Sequence, residues 1–242
     1  MKVSMFITCM SDAMFPRVGE AMACLLARYG VKLDFPDVQT CCGQPAYNSG
    51  YWKEAREAAR RILDAFEDSD FVVAPSGSCT GMLHHYDKLF QHEPEQRERI
   101  RELKEKSYEF TQFLVQVMGI TSLGASFPHK VTYHPSCHGT RILGIKDEPL
   151  LLLGQVERLE LIPLPFAEDC CGFGGTFAVK MADISGAMVT EKVDHVLETE
   201  AEVLVGLDMA CLMNISGNLH YRGKPVRVMH LAELLYEGVK GA

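Results

Sequence analysis

Residues 168–177, EDCCGFGGTF, place two cysteines side by side in front of a glycine, and residues 40–47, TCCGQPAY, repeat the arrangement earlier in the chain. A random order of the same residues would give about 0.03 Cys-Cys-Gly triplets. Two copies therefore indicate an internal duplication. They also raise the question of which chemistry uses adjacent thiols next to a flexible backbone.

Single cysteines on both sides of each triplet extend the repeat over nearly the whole chain. Corresponding cysteines are 128, 129, 129 and 132 residues apart, and of the nine cysteines only Cys24 has no counterpart. Cys24 lies in an apolar helical stretch and is interpreted as a core residue. The two sets of candidate ligands are Cys9, Cys41, Cys42 and Cys79 in the first half and Cys137, Cys170, Cys171 and Cys211 in the second.

The composition is that of an ordinary globular protein, with 242 residues, 47% hydrophobic and 23% charged, and a net charge of −8. The acidic balance disfavours nucleic acid and anionic membranes as partners. The first residues match a signal peptide poorly, and no run approaches the roughly 18 apolar residues of a membrane span. We therefore expect a cytoplasmic protein, in which clustered thiols stay reduced and are ligands or reactive groups.

Apolar, β-prone runs alternate with helical patterns in both halves, which predicts an α/β fold of two tandem, pseudo-repeated domains. We place the domains at residues 1–121 and 122–242, each a small, mostly parallel sheet with flanking helices. Ligands collect at the carboxyl ends of parallel strands, where the cysteines of the repeat are expected to lie. The expected strands cover residues 2–8, 31–35, 71–76, 129–136, 158–164 and 202–208.

Helical patterns separate these strands. Cys79 and Cys211 fall at or just inside helix starts, which favours thiolate over thiol. The charged stretch between the halves, residues 84–119, predicts two further helices, the second packed on the core. The other expected helices cover residues 15–30, 51–67, 139–144 and 180–199.

Three chemistries compete for the clustered thiols. A disulfide within a Cys-Cys pair is disfavoured, because adjacent Cα atoms lie about 3.8 Å apart, below the usual disulfide span of about 4.4 to 6.8 Å. Zinc accepts four thiolates, but its typical sites use C-x(2–4)-C pairs, which this sequence lacks. An iron–sulfur cluster suits the pattern better, since its separate irons can take neighbouring thiolates, and four cysteines per half is the number that one 4Fe-4S cubane needs. Zinc in one half stays open as the alternative.

The pattern C-x31-CCG-x35-C followed by C-x32-CCG-x38-C resembles the cysteine-rich CCG domain family, which includes a subunit of heterodisulfide reductase. The segments HPSCHGTR, residues 134–141, and EDCCGFGGTFAVK, residues 168–180, are similar to the two-copy members of that family. The resemblance implies an iron–sulfur electron-transfer subunit whose eight repeat cysteines hold the clusters. It further implies partner subunits, iron–sulfur or flavin proteins, in a complex that oxidises L-lactate or a similar 2-hydroxy acid to the 2-oxo acid.

One position departs from the family pattern. Members with a noncubane cluster end the motif in CxxC, whereas this chain has Ser76-x-x-Cys79 and Asp208-x-x-Cys211. The missing fifth thiolate favours an ordinary four-cysteine cluster, with Ser76 or Asp208 as a candidate oxygen ligand. Two other functions stay open: a heterodisulfide-reductase-like thiol/disulfide redox subunit with an open cluster iron, and a zinc-stabilised scaffold.

Two histidines, His134 and His138, flank Cys137. Each is either a hydrogen-bond donor to a cluster or an ordinary loop histidine, and the sequence leaves both interpretations open.

Overall fold

The structure, a computed structural model, describes residues 1–241 and contains two four-stranded sheets, one from each half of the chain. All neighbouring strands pair in parallel, in the orders β2-β1-β3-β4 and β6-β5-β7-β8. The α/β class and the tandem repeat are thereby confirmed, whereas the boundary at residues 121 and 122 stays a prediction. The strands are β1 (Lys2–Met5), β2 (Lys32–Asp34), β3 (Phe71–Ala74), β4 (Ser107–Glu109), β5 (Lys130–His134), β6 (Glu160–Ile162), β7 (Val203–Gly206) and β8 (Arg227–His230).

Helices connect and cover these strands. No helix in residues 1–241 combines the length and the apolar composition that a membrane crossing needs. The helices of the first half are α1 (Cys9–Met14), α2 (Pro16–Ala27), α3 (Gln44–Asn48), α4 (Trp52–Ala65), α5 (Gly77–Leu83), α6 (Tyr86–Leu89), α7 (Arg97–Lys106) and α8 (Phe110–Gln112), with a 3-10 turn at Pro94–Gln96 and a π-helical turn at Phe113–Val117. Those of the second half are α9 (Cys137–Arg141), α10 (Glu148–Gly154), α11 (Phe177–Lys180), α12 (Ala182–Glu198), α13 (Met209–Tyr221) and α14 (Leu231–Lys240).

The six predicted strands are all present, each shorter than its apolar run, and other elements differ from the sequence-based expectation. Strands β4 and β8 are not predicted, because β4 lies within the charged, helix-like pattern of residues 84–119 and the four residues of β8 run directly into α14. The second connecting helix is present as α8 and the π-helical turn, with Phe110, Phe113 and Leu114 in the core, but β4, which pairs with β3, separates it from α7. Helix α10 is not predicted.

One hydrophobic core joins the two halves. In the first sheet, Val3 and Val73 face this shared core, while Val72 faces a second core of the first half alone. In the second sheet, Val203 faces the shared core and its neighbour Leu204 faces the core of the second half. Each sheet is therefore covered on both faces, as parallel sheets require.

Helices also pair between the halves. Helix α2 packs on α14, α5 packs on α9, and α1 packs on α13. Helix α5, which carries Cys79, therefore lies against α9, which begins with Cys137. In the same way α13, which carries Cys211, lies against α1, which begins with Cys9. The two halves are thus related by an approximate two-fold axis, which brings the amino ends of four cysteine-bearing helices together.

The glycine of each Cys-Cys-Gly triplet is required by the backbone. Gly43 has φ +87° and Gly172 has φ +79°, a left-handed conformation that other residues adopt at a cost. A Cβ atom would lie 3.0 Å from the carbonyl oxygen of Ala55 at Gly43, and 2.8 Å from that of Ser185 at Gly172. The glycines let each cysteine loop pass directly against α4 or α12.

We expect Gly172→Ala to lower the free energy of unfolding by about 1–3 kcal/mol, because it combines a strained φ with a contact on backbone atoms. Urea denaturation followed by circular dichroism measures the change. The matched control is Gly186→Ala in α12, where an added Cβ meets nothing within 4 Å. That variant is expected to keep or raise the stability by up to about 1 kcal/mol. Equal stability of the two variants would contradict the argument.

Candidate metal centre

A cavity of about 170 Å³ lies where the carboxyl ends of the two sheets meet. It is lined by residues of both halves, and Cys24 is not among them. Its thiol lining consists of all eight cysteines of the repeat: Cys9, Cys41, Cys42, Cys79, Cys137, Cys170, Cys171 and Cys211. The sequence predicts convergence within each half, whereas the tertiary structure brings both sets to the same cavity.

The first set of four thiols forms a continuous chain of contacts. Cys9, the first residue of α1, lies within hydrogen-bonding distance of Cys41, which contacts Cys42, which in turn contacts Cys79 in α5. Cys42 is buried, and its carbonyl oxygen accepts a hydrogen bond of 2.9 Å from the hydroxyl of Tyr86. The loop that carries the adjacent pair is thereby fixed to α6.

The second set repeats this geometry. Cys137, the first residue of α9, contacts Cys170, and Cys171 contacts both Cys170 and Cys211. The side-chain amide of Asn214 donates a 2.8 Å hydrogen bond to the carbonyl oxygen of Cys171. Asn214, in α13, therefore holds the second loop as Tyr86 holds the first.

The thiols cannot all ionise by themselves, because each thiolate opposes the next. Hydrogen bonds from Cys42 and Cys9 lower the pKa of Cys41 to about 3. Hydrogen bonds from Cys137 and Cys171 lower the pKa of Cys170 to about 2. The same contacts raise the pKa of the donating thiols, so each set holds one favoured thiolate.

A metal centre relieves this crowding, since metal cations take the place of the protons and each ligating thiol becomes a thiolate. All nine cysteines are free of disulfide bonds. The backbone amide of Gly172 also donates to the sulfur of Cys170 at 3.4 Å, which stabilises negative charge there. The donor set therefore fits a thiolate-bound iron–sulfur or zinc centre.

Ser76 and Asp208, which each precede the last cysteine of their half by three residues, meet between the halves. The hydroxyl of Ser76 donates to Asp208 Oδ2 at 3.1 Å, and the amide of Ser78 donates to the same oxygen at 2.8 Å. The other oxygen, Oδ1, accepts from the amide of Ala210 at 3.2 Å. Ser76 in turn accepts from the amide of Cys79, so the two side chains cap α5 and α13 and link them.

The two histidines beside Cys137 have different surroundings. His138 places Nε2 2.9 Å from the side-chain nitrogen of Gln44 in the other half and Nδ1 3.5 Å from the sulfur of Cys137. His134 is buried, and neither of its ring nitrogens has a hydrogen-bond partner within residues 1–241. Burial lowers the pKa of His134 to about 3, so its ring is neutral.

A nitrogen of His134 and the sulfurs of Cys171 and Cys211 all lie within 4.8 Å of one another. The sequence points to His134 only through its distance of three residues from Cys137. Gln44, which follows the first Cys-Cys-Gly triplet and lines the cavity, is not predicted at all. Its only sequence signal is its place beside the motif.

The cysteine-rich CCG domain family matches residues 3–84 and 131–216, and this chain belongs to that family. It is 55% identical over 235 residues to Lactate utilization protein A of Geobacillus thermodenitrificans (strain NG80-2), covering 97% of this chain and 98% of that protein. It is 52% identical over 242 residues to Lactate utilization protein A of Exiguobacterium sp. (strain ATCC BAA-1283 / AT1b), covering 99% of each.

Among solved structures, a hypothetical protein from Helicobacter pylori has a similar fold, with a TM-score of 0.68 at 10% sequence identity. The match covers 98% of this chain and 49% of the other, so this chain spans about half the length of that protein. The likeness concerns the fold alone.

We expect Asp208→Asn to lower the free energy of unfolding by about 1–3 kcal/mol, because the amide nitrogen would face hydrogen-bond donors that now meet a carboxylate oxygen. Urea denaturation of the variant and the unmodified protein, at equal metal content, measures this change in the free energy of unfolding. Asp194→Asn is the control, since that carboxylate forms an exposed ion pair with Arg222. The control should change stability by less than about 1 kcal/mol, and an equal loss in both variants would refute the bridging role of Asp208.

Proposed function

We propose that this chain is the iron–sulfur electron-transfer subunit of a complex that oxidises L-lactate, or a similar 2-hydroxy acid, to the 2-oxo acid. The observation that supports the proposal most is the meeting of two four-cysteine sets at one cavity. In this proposal, Cys9, Cys41, Cys42 and Cys79 hold one cluster, and Cys137, Cys170, Cys171 and Cys211 hold the other. A cluster of the 4Fe-4S type would supply one-electron chemistry at each site.

The protein's own groups would hold and tune these centres. Tyr86 and Asn214 fix the carbonyl oxygens of the two cysteine loops, so the adjacent sulfurs keep their positions. The amide of Gly172 aims at the sulfur of Cys170, where it would stabilise added negative charge. Cys9 is exposed, which gives the first set a route to solvent or to a partner.

The lining of the cavity favours electron relay over substrate binding. A 2-hydroxy acid carries a carboxylate, which proteins usually hold with arginine or lysine. Within residues 1–241 the cavity lining contains neither, and the charges that it does carry, on Asp208 and on the favoured thiolates, are negative. We therefore place substrate oxidation in a partner subunit. The reaction releases two electrons and two protons per molecule, and two one-electron centres here would carry the electron pair.

The assignment to lactate rests on the relatives, which carry the name Lactate utilization protein A. Zinc in the second half is the second candidate for the metal, and the group of His134, Cys171 and Cys211 favours it. Iron and acid-labile sulfide distinguish the two, because a zinc site contains no sulfide.

We expect Cys79→Ala and Cys211→Ala each to remove one cluster's worth of iron and sulfide from the anaerobically purified protein. Each variant removes one of four thiolates from one set. Metal analysis and the absorbance near 400 nm provide the measurement.

The matched control for these variants is Cys24→Ala, which changes a cysteine outside the cavity and should keep the full iron content. Full iron in both Cys79→Ala and Cys211→Ala would refute the ligand assignment. Zinc without sulfide in the unmodified protein would refute the iron–sulfur centres themselves.

We expect L-lactate to bleach the absorbance near 400 nm when the chain is purified anaerobically together with its partner subunits. The isolated chain should show no bleaching, because the cavity lining within residues 1–241 offers no cationic group to the substrate carboxylate. Dithionite serves as the control that both preparations can be reduced. Bleaching by dithionite but never by lactate would reject lactate as the electron source and leave the iron–sulfur centres standing.

A further inference from the structure

The second set of cysteines lies beside a buried histidine. His134 is the last residue of β5 and is only 2% exposed, yet both of its ring nitrogens are without a hydrogen-bond partner in the described part of the chain. One of these nitrogens lies within 4.8 Å of the sulfurs of both Cys171 and Cys211. A buried N–H group without a partner is costly, so a group that accepts its hydrogen bond is expected at this position.

At the matching position of the first half, the side chain is apolar. The repeat aligns Cys137 with Cys9, and the same offset of 128 residues aligns His134 with Phe6. Phe6 is fully buried and packs edge-on against Phe66, with ring centroids 5.5 Å apart. The two sites therefore have the same number of thiols but differ in a buried hydrogen-bond donor.

A buried cation adds to this difference. The ammonium of Lys192, in α12, donates hydrogen bonds to the carbonyl oxygens of Phe166 and Ala167 at 2.7 and 3.3 Å. Its charge also interacts with Cys170 and Cys171. Ser185 of α12 lies against Gly172 as Ala55 of α4 lies against Gly43, so the two helices can be aligned at these residues. Seven residues further on, Lys192 in α12 corresponds to the apolar Ile62 in α4.

We propose that His134 donates an N–H hydrogen bond to a sulfur of the second centre and raises its reduction potential above that of the first. The inference rests on the proposed iron–sulfur function. Four cysteines already supply one ligand for each iron of a cubane, so the imidazole is not needed as a ligand. An N–H donor stabilises the reduced cluster more than the oxidised one, since the reduced cluster carries the larger negative charge.

The consequence is a direction for electron flow. The first centre, with apolar Phe6 and Ile62 at the matching positions, would be the weaker acceptor. The second centre, beside His134 and Lys192, would be the stronger acceptor. An electron that enters at the first set, where Cys9 is exposed, would therefore move on to the second set.

The test compares His134→Phe, which installs the residue of the first half, with His134→Gln, which keeps a side-chain N–H donor. The reduction potential of each centre is followed by redox titration with electron paramagnetic resonance, alongside iron and sulfide content. We expect His134→Phe to shift one potential to more negative values with the iron retained. His134→Gln should shift it less, and the control Phe6→Leu should leave the second potential unchanged.

Two results would overturn the role of His134. Unchanged potentials in iron-replete His134→Phe would show that no hydrogen bond from this side chain acts on the centre. Loss of the second centre's iron in both His134 variants would show that the imidazole is a ligand rather than a donor. Absence of iron and sulfide in the unmodified protein is a different result, which refutes the proposed function before any variant is compared.

A second measurement applies even where His134→Phe does not fold. The His138→Gln protein, which lacks the histidine nitrogen 3.5 Å from the sulfur of Cys137, is labelled with ¹⁵N-histidine, and electron–nuclear double resonance records the coupling between histidine nitrogen and each centre. A weak coupling at the more positive centre alone supports the proposal. A strong coupling, which indicates direct ligation, or none at all, overturns it.

Discussion

The carboxylate of Asp208 is the contact on which the geometry of the site depends. It accepts hydrogen bonds from Ser76 and Ser78 of the first half while it caps α13 of its own half. The amino ends of α5 and α13 are therefore fixed together, and each carries the last cysteine of its set. Because the group is 2% exposed, water does not compete for these hydrogen bonds. The relation between the two sets of thiols follows from this bridge and from the shared core beneath it.

The two halves of the chain have nearly the same fold, but a few residues make the chemistry of their cysteine sites different. The two sheets have the same strand order, and the four cysteines of each half contact one another in the same sequence. The differences lie in buried side chains: His134 where the first half has Phe6, and Asp208 where it has Ser76. A repeat of this kind allows two centres of the same construction to have different affinities for an electron.

The adjacent thiols of each loop are crowded and oppose each other's ionisation. In each loop, the chain of sulfur contacts favours one thiolate and opposes ionisation of its neighbours. The glycine after each pair lets the loop lie against a helix, so the sulfurs cannot simply move apart to relieve the repulsion. Replacement of the protons by metal cations removes this conflict, which is why the geometry is better suited to a metal centre than to free thiols.

The sequence by itself determined the elements that depend on local pattern. The repeat of cysteines, the six apolar strands and the glycine after each pair can all be recognised without the structure, because each is set by neighbouring residues or by one fixed spacing. Edge strand β4 could not be predicted, because its three residues become a strand only by pairing with β3. The tertiary structure alone decided that both cysteine sets face one cavity, that Ser76 meets Asp208, and that His134 is buried beside Cys171 without a partner among residues 1–241. These relations arise where the two halves pack, or where distant strands end together, and no local pattern in the chain encodes such distances.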